Sequence, residues 1–333
     1  MVAAELAAVV QRVFIYGINY APEPTGVGRY TGEFGSYLAR QGLEVEVVAA
    51  VPHYPGWAVQ GGYRNRFSVE RLDGVRVTRC PLLLTTEMRG VWRVLAPLTF
   101  ALTSAPIVIW RIFATRPDIV LCIEPTLFSA PAALLAAKIV GARTVLHVQD
   151  LEIDAAFAVG HLRGSVLQKI AIFFECAVLC AFDRVVTISN RMQDNLKSKG
   201  VLLQRLNLVR NWVDLEKVKP LNRVSSYRND LGRPDSSFVA LYAGNIGVKQ
   251  ALPLVLEAAE HLAAESNLIF VVVGDGPEKK QLVTQYGHLS NVRFLPVQSE
   301  ERLCELLNLA DVHLLPQERG AVDLVLPSKL GVC

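Results

Sequence analysis

No two cysteines in this chain have the Cys-x-x-Cys spacing of a zinc or redox site. The six (Cys80, Cys122, Cys176, Cys180, Cys304 and Cys333) are scattered, which sets thiol-based metal and redox chemistry aside and fits a reduced, cytoplasmic compartment. Cys176 and Cys180, four apart in an apolar helical stretch, read as buried thiols. Charge is sparse: 20% of residues are charged and the net charge is +3, so nothing in the composition draws the chain to nucleic acid. A basic leader followed by a long apolar run is missing, so no signal peptide is expected, and residues 1–11 read as an extension ahead of the first strand. No short repeat and no metal-ligand cluster is evident.

What is present is apolar: 51% of 333 residues, globular or membrane-associated composition with more chain than one core usually serves. Strand-length apolar runs alternate with helical spacing. Strands are expected at Arg12–Tyr16, Val45–Ala50, Val75–Arg79, Ile119–Ile123, Thr144–Val148 and Val185–Ile188. A helix from Tyr30 to Gln41 follows the first and is closed by Gly42. The pattern restarts at Leu206–Val209, with strands at Phe238–Tyr242, Leu268–Val273, Val292–Leu295 and Val312–Leu315 and a helix over Leu252–Ala263. Runs apolar on both faces and separated by helices argue for α/β domains with parallel sheets covered on both sides. The domains are placed at 12–208 and 209–333.

The uncharged run Val94–Trp110 falls short of the roughly 20 residues of a spanning helix. With Pro97 and Pro106 inside it, it reads as a buried or interfacial helix pair. Arg89, Arg93, Arg111 and Arg116 flank it, and basic flanks beside apolar surface suit an anionic membrane leaflet. Peripheral attachment to the inner face of the plasma membrane is therefore expected.

Ligands of open α/β sheets bind at loops beyond the carboxyl ends of the strands, and the informative residues gather there. Gly26 and Gly28 open a helix, where glycines admit close backbone approach and helix-start amides favour phosphate; the loop is too long and Pro-rich for a dinucleotide fingerprint. Gly244, Asn245 and Gly247 precede Lys249, which suits a diphosphate or is a solvated lysine on a capped helix. Gly274-Asp275-Gly276-Pro277 is a second strand-to-helix turn, or a plain turn with Asp275 bonding locally. His147 and Asp150 close a buried strand and are candidates for acid–base work or sugar contact, with a purely structural role the alternative for His147.

Several ordered motifs add a resemblance over nearly the whole chain from Arg12: Tyr20-Ala21-Pro22-Glu23 with Gly26 and Gly28, Pro52-His53-Tyr54-Pro55-Gly56, Val148-Gln149-Asp150-Leu151-Glu152, Asn211-Trp212-Val213-Asp214, Gly274-Asp275-Gly276-Pro277 and Pro327-Ser328-Lys329-Leu330. The chain resembles the retaining glycosyltransferases of family 4, in particular the exopolysaccharide branch with the colanic acid transferases. The resemblance implies the GT-B fold, two Rossmann-like domains with parallel sheets facing a cleft. It implies a UDP- or GDP-linked sugar donor as substrate, no cofactor, no metal, and a lipid-linked glycan acceptor. Asn245 and Lys249 fall where the family grips the diphosphate, although Asn245 stands where an Arg is usual. Asp275 and Gly276 would lie near the nucleotide, Leu295 with Phe294 and Pro296 near the base, and Ser328 and Lys329 at the phosphates.

Val332 stands where many members carry a ribose-binding Glu, and the chain ends one residue later. The resemblance therefore implies an incomplete second domain, lacking about 50 residues or more of a complete one, and weak or no activity. A non-catalytic remnant and a nucleotide-sugar epimerase of the same fold are the competing readings.

Overall fold

The computed structural model describes residues 10–24, 26–85, 91–125, 127–150, 165–215, 218–221, 223–231 and 236–318. The chain divides into two compact units, Met1–Arg210 and Asn211–Cys333.

In the first unit the strands are β1 (Arg12–Tyr16), β2 (Glu44–Ala50), β3 (Ser68–Leu72), β4 (Val75–Cys80), β5 (Ile119–Glu124), β6 (Arg143–Val148), β7 (Arg184–Thr187) and β8 (Leu206–Leu208). The helices are α1 (Gly26–Arg40), α2 (Val91–Thr115), α3 (Ala130–Val140), α4 (Ser165–Ala181) and α5 (Asn190–Ser198). The sheet runs β3-β4-β2-β1-β5-β6-β7-β8. Its neighbours pair in parallel except β3 and β4, so the expectation of a wholly parallel sheet is corrected at one edge. Asp73 and Gly74, both with positive φ, join β3 to β4 as a two-residue hairpin. β8 pairs with β7 and closes this sheet rather than opening the second half.

Two helices differ from expectation. The first begins at Gly26, not Tyr30, because its glycines form the face on which the preceding loop lies. A Cβ on Gly28, Gly32 or Gly35 would come within 2.4 Å of Glu23 Oε2, 2.5 Å of Ala21 Cβ and 2.5 Å of the Tyr20 hydroxyl, respectively. Tertiary packing overrides the low helix propensity of glycine there. The expected helix pair is one continuous helix, α2, running through Pro97 and Pro106. Ala96, Phe100, Ser104, Val108 and Ile112 recur every four residues and are all buried, a stripe that holds the helix on the sheet despite two missing donors. Cys180 is exposed and Cys176 half-buried, against the expectation of two buried thiols.

The second unit has β9 (Phe238–Ala243), β10 (Leu268–Val273), β11 (Val292–Leu295) and β12 (Val312–His313), with α6 (Tyr227–Asp230), α7 (Leu252–His261), α8 (Lys279–Tyr286) and α9 (Glu300–Leu307). The sheet order is β11-β10-β9-β12, all parallel. Alternate residues serve opposite cores. Tyr242, Phe270 and Val272 pack with Leu256 of α7 and Leu282 of α8, while Leu241, Ile269 and Val271 pack with Tyr227 of α6 and Leu306 of α9. A strand buried on both faces must be apolar throughout, which is why Leu-Ile-Phe-Val-Val-Val reads as it does.

Candidate functional site

In the second unit the parallel register sets Val273 beside both Ala243 and Leu295, so three strands end side by side. The turns beyond them are stitched together by backbone. Gly244 N donates to Val273 O at 2.8 Å, Gly274 N to Leu295 O at 3.3 Å, and Ile246 N to Asp275 O at 2.8 Å. Gly244, Asn245, Gly274, Asp275, Gly276 and Leu295 are thus brought into one cluster, as the strand ends predict. The cluster admits no side chain at its centre: a Cβ on Gly274 would sit 1.8 Å from Gly244 O, and one on Gly276 2.2 Å from Ile246 O.

Lys249 is exposed on a single 3₁₀ turn, Val248–Gln250, ahead of α7, and its carbonyl accepts from Glu318 N at 3.0 Å. Asn245 is exposed, its Nδ2 3.4 Å from Gln250 Oε1. Asp275 Oδ1 accepts from Gly276 N at 2.8 Å, an Asx-type local bond that orders the turn. Sequence reasoning passed over Lys279, whose Nζ donates to Gly274 O at 2.7 Å and approaches Leu295 O at 3.5 Å. It caps carbonyls at the ends of β10 and β11, and its place at the first position of α8 was the available signal. Ser328 and Lys329 lie outside the described residues.

In the first unit Gly26 starts α1 with φ +65°. Gly28 is small because Glu23 occupies the space beside it. Glu23 is buried and ties two loops together. Its Oε1 accepts from His53 N at 3.0 Å and Tyr54 N at 2.9 Å, and its Oε2 from Asn19 Nδ2 at 2.8 Å. His53 Nδ1 donates to Val51 O at 2.9 Å. Arg79, fully buried, holds the same region from β4: it donates to Glu70 Oε1 at 2.7 Å, to Ala50 O and to Ala21 O, and lies between the rings of Tyr20 and Tyr63. The sequence motifs Tyr20–Glu23 and Pro52–Gly56 are therefore halves of one polar assembly beyond β1 and β2. Trp57, at its end, has φ +53°, a left-handed backbone that a bulky residue adopts only under surrounding constraint.

His147 and Asp150 lie at the carboxyl end of β6, two strand spacings from β1 in the same sheet, roughly 10 Å. His147 Nε2 is 3.5 Å from Gln149 Nε2, and Asp150 is half-buried. Burial pushes the His147 imidazolium down to about 4, so at pH 7 the ring is neutral. The unfolded chain takes up this proton near 6.5 and the folded chain only near 4, so the unfolded state binds more protons in between. Stability is full above pH 6.5 and falls as pH drops toward 4, by about 3 kcal/mol from this group. Urea unfolding at pH 7 and pH 4.5 is expected to show a smaller acid loss for His147→Gln than for the parent; equal losses would refute the burial argument. The comparison is needed because burial also lowers His313.

Two family descriptions match in order along the chain: a glycosyl transferase 4-like domain over residues 25–212 and glycosyl transferases group 1 over residues 224–325. The chain is 41% identical over 328 residues to the Escherichia coli (strain K12) protein described as a colanic acid biosynthesis glycosyl transferase, WcaI, covering 96% of this chain and 80% of that protein. Among solved structures, sucrose-phosphate synthase from Thermosynechococcus elongatus superposes with TM-score 0.67 at 14% identity, covering 94% of this chain and 78% of that one. Anabaena Alr3699/HepE, solved with UDP and glucose, superposes with TM-score 0.59 at 15% identity, covering 91% and 73%. These two likenesses carry the fold alone, two mostly parallel α/β units of GT-B type. The matched domains and the 41% identical relative carry the family: the chain belongs to the family 4 glycosyltransferases and is a sugar-transferring enzyme by descent.

Proposed function

We propose that this glycosyltransferase moves a sugar from a UDP- or GDP-linked donor onto a lipid-linked precursor of an exopolysaccharide, with retention of configuration, at the cytoplasmic face of the plasma membrane. The observation that carries the donor half is the cluster of glycine turns at the ends of β9, β10 and β11. Gly274 and Gly276 let the turns pack backbone to backbone against Gly244 O and Ile246 O, and Lys249 follows on the next turn. The donor's diphosphate carries two negative charges and gains another as the nucleoside diphosphate departs, and cations with backbone amides fixed in advance stabilise the charge that grows on it. In this reading Gly244, Asn245, Lys249, Gly274, Asp275, Gly276 and Leu295 hold the donor, joined by Ser328 and Lys329. The description of the WcaI relative supports the exopolysaccharide role, and the presence of UDP and glucose in the HepE complex is consistent with a nucleotide donor.

The first unit serves the acceptor. Asp150 at the end of β6 is the group to orient or deprotonate an acceptor hydroxyl, and neutral His147 is a hydrogen-bonding partner rather than a cation. Gly26, with its left-handed backbone, and Gly28, packed against Glu23, shape the start of α1 on this side.

Lys249→Ala tests the donor half. One charge-assisted contact to phosphate is worth about 1.5–3 kcal/mol, so affinity for free UDP or GDP, read by calorimetry, should fall about 10- to 100-fold. Unchanged affinity for both nucleotides would remove Lys249 from the site.

A further inference from the structure

Three consecutive helices of the first unit turn large apolar side chains away from their own core. α2 packs on α3 and α3 on α4, and right-handed crossovers put all three on one face of the sheet. The buried stripe of α2 runs from Ala96 to Ile112. At 100° per residue, Leu102, Trp110 and Phe113 fall on the opposite side, and they are 75%, 62% and 42% exposed. On the neighbouring helices Leu135, Ile139 and Phe173 are equally open, at 62%, 62% and 76%. Scattered exposed apolar residues are ordinary, but a run of them across three adjacent helices marks an interaction surface.

The charges choose the partner. α2 and α3 contain no Asp or Glu. The one acid of α4, Glu175, is fully buried and paired with Lys199. Exposed cations sit on these helices and at the end of α2: Arg116, Lys138 and Lys169. Arg111, which the sequence offers as a membrane-facing flank, is instead turned onto Glu46, its Nη2 2.6 Å from Oε2. Arg89 and the side chain of Arg93 lie outside the described residues.

An apolar face whose helices carry exposed cations and, among the described residues, no exposed carboxylate fits a bilayer carrying anionic lipid, the exposed Asp118 and Asp183 lying past the ends of α2 and α4. Rings and aliphatic chains enter the headgroup boundary, and lysine and arginine meet the phosphates. α2 is long and apolar enough to cross a membrane by length and composition, yet its other side is spent on the sheet, so it lies along the surface. We infer that the outer face of α2, α3 and α4 docks the enzyme on an anionic bilayer, entering through Trp110, Phe113 and Phe173. This rests on the proposed lipid-linked acceptor and identifies the surface that would bring the enzyme to it.

Co-sedimentation with phosphatidylcholine vesicles and with vesicles holding 30 mol% phosphatidylglycerol, about that fraction being enough to give a strongly negative surface, tests the assignment on the full chain. The parent is expected to bind the anionic vesicles, less so in high salt. The triple variant Trp110→Ser, Phe113→Ser, Phe173→Ser is expected to lose at least tenfold in partitioning. Lys138→Glu with Lys169→Glu is expected to remove the preference for anionic lipid. All these side chains are exposed, so UDP or GDP binding should match the parent and report that each variant is folded. Parent protein that ignores both vesicles, a triple variant that binds like the parent, or a concentration-dependent dimer abolished by the same three substitutions overturns the inference. Loss of nucleotide binding by the parent would instead strike at the donor reading.

Discussion

Replacing Gly274 by alanine is expected to unfold the second unit while leaving the first intact. Gly274 has φ +145°, a backbone that an L side chain adopts only with strain of about 1–3 kcal/mol. The added methyl carbon would also lie 1.8 Å from Gly244 O. That oxygen belongs to the neighbouring strand end, which Gly244 N binds to Val273 O, so it has no rotamer by which to step aside. Overpacking against a fixed neighbour costs about another 1–3 kcal/mol. Together they approach the 5–15 kcal/mol that holds a whole domain together. Hydrogen exchange is the informative measurement. Amides of β9 and β10 should lose protection and UDP or GDP binding should vanish, while amides of β1 and β5 keep their parent protection. Gly61→Ala is the control, because a methyl there meets nothing within 4 Å, and it should change neither. Full protection of β9 and β10 in Gly274→Ala would show that the two turns are not locked together.

That turn also shows what a sequence can and cannot reveal. Gly274-Asp275-Gly276-Pro277 after three valines is legible as a strand-to-helix turn, because a strand buried on both faces must be apolar and must stop where the chain reaches water. Why both glycines are needed is not legible. The obstructing atoms, Gly244 O and Ile246 O, are thirty residues away in the chain and belong to a parallel neighbour whose register no local pattern encodes. The strand β3 was missed for the opposite reason. As an exposed edge its Ser-Val-Glu-Arg-Leu alternates weakly, and the Asp73-Gly74 hairpin behind it was the stronger clue. Pro97 and Pro106 suggested a broken helix because propensity counts lost hydrogen bonds and is blind to the buried stripe that outweighs them. Among candidate site residues, the gathering of those at strand ends was legible from position alone. Lys279 and the joining of two motifs through Glu23 required coordinates.

Glu23 is where the second large effect is expected. In Glu23→Ala three donors lose their acceptor at once: His53 N, Tyr54 N and Asn19 Nδ2. Glu23 and His53 are both buried, so water does not readily replace the carboxylate, and each stranded donor costs about 1–3 kcal/mol. A stability loss of about 3–9 kcal/mol follows, with the loop beyond β2 released from the loop beyond β1. Glu23→Gln separates the geometry from the mere loss of a side chain. Its amide oxygen can still accept from His53 N and Tyr54 N, and only the contact with Asn19 must be rebuilt, by turning that amide over. Its loss should stay near 1 kcal/mol, the worth of one neutral hydrogen bond. Because Glu23 acts by placing Tyr54 and the start of α1, its removal should reach function differently from Lys249→Ala. Transfer measured below the melting temperature should fall at least tenfold in Glu23→Ala, while affinity for free UDP or GDP stays at the parent value. A Glu23→Ala variant as stable as the parent would show that the two loops stand without their shared carboxylate. One that loses nucleotide affinity in parallel would place Glu23 in donor binding rather than in shaping the acceptor side.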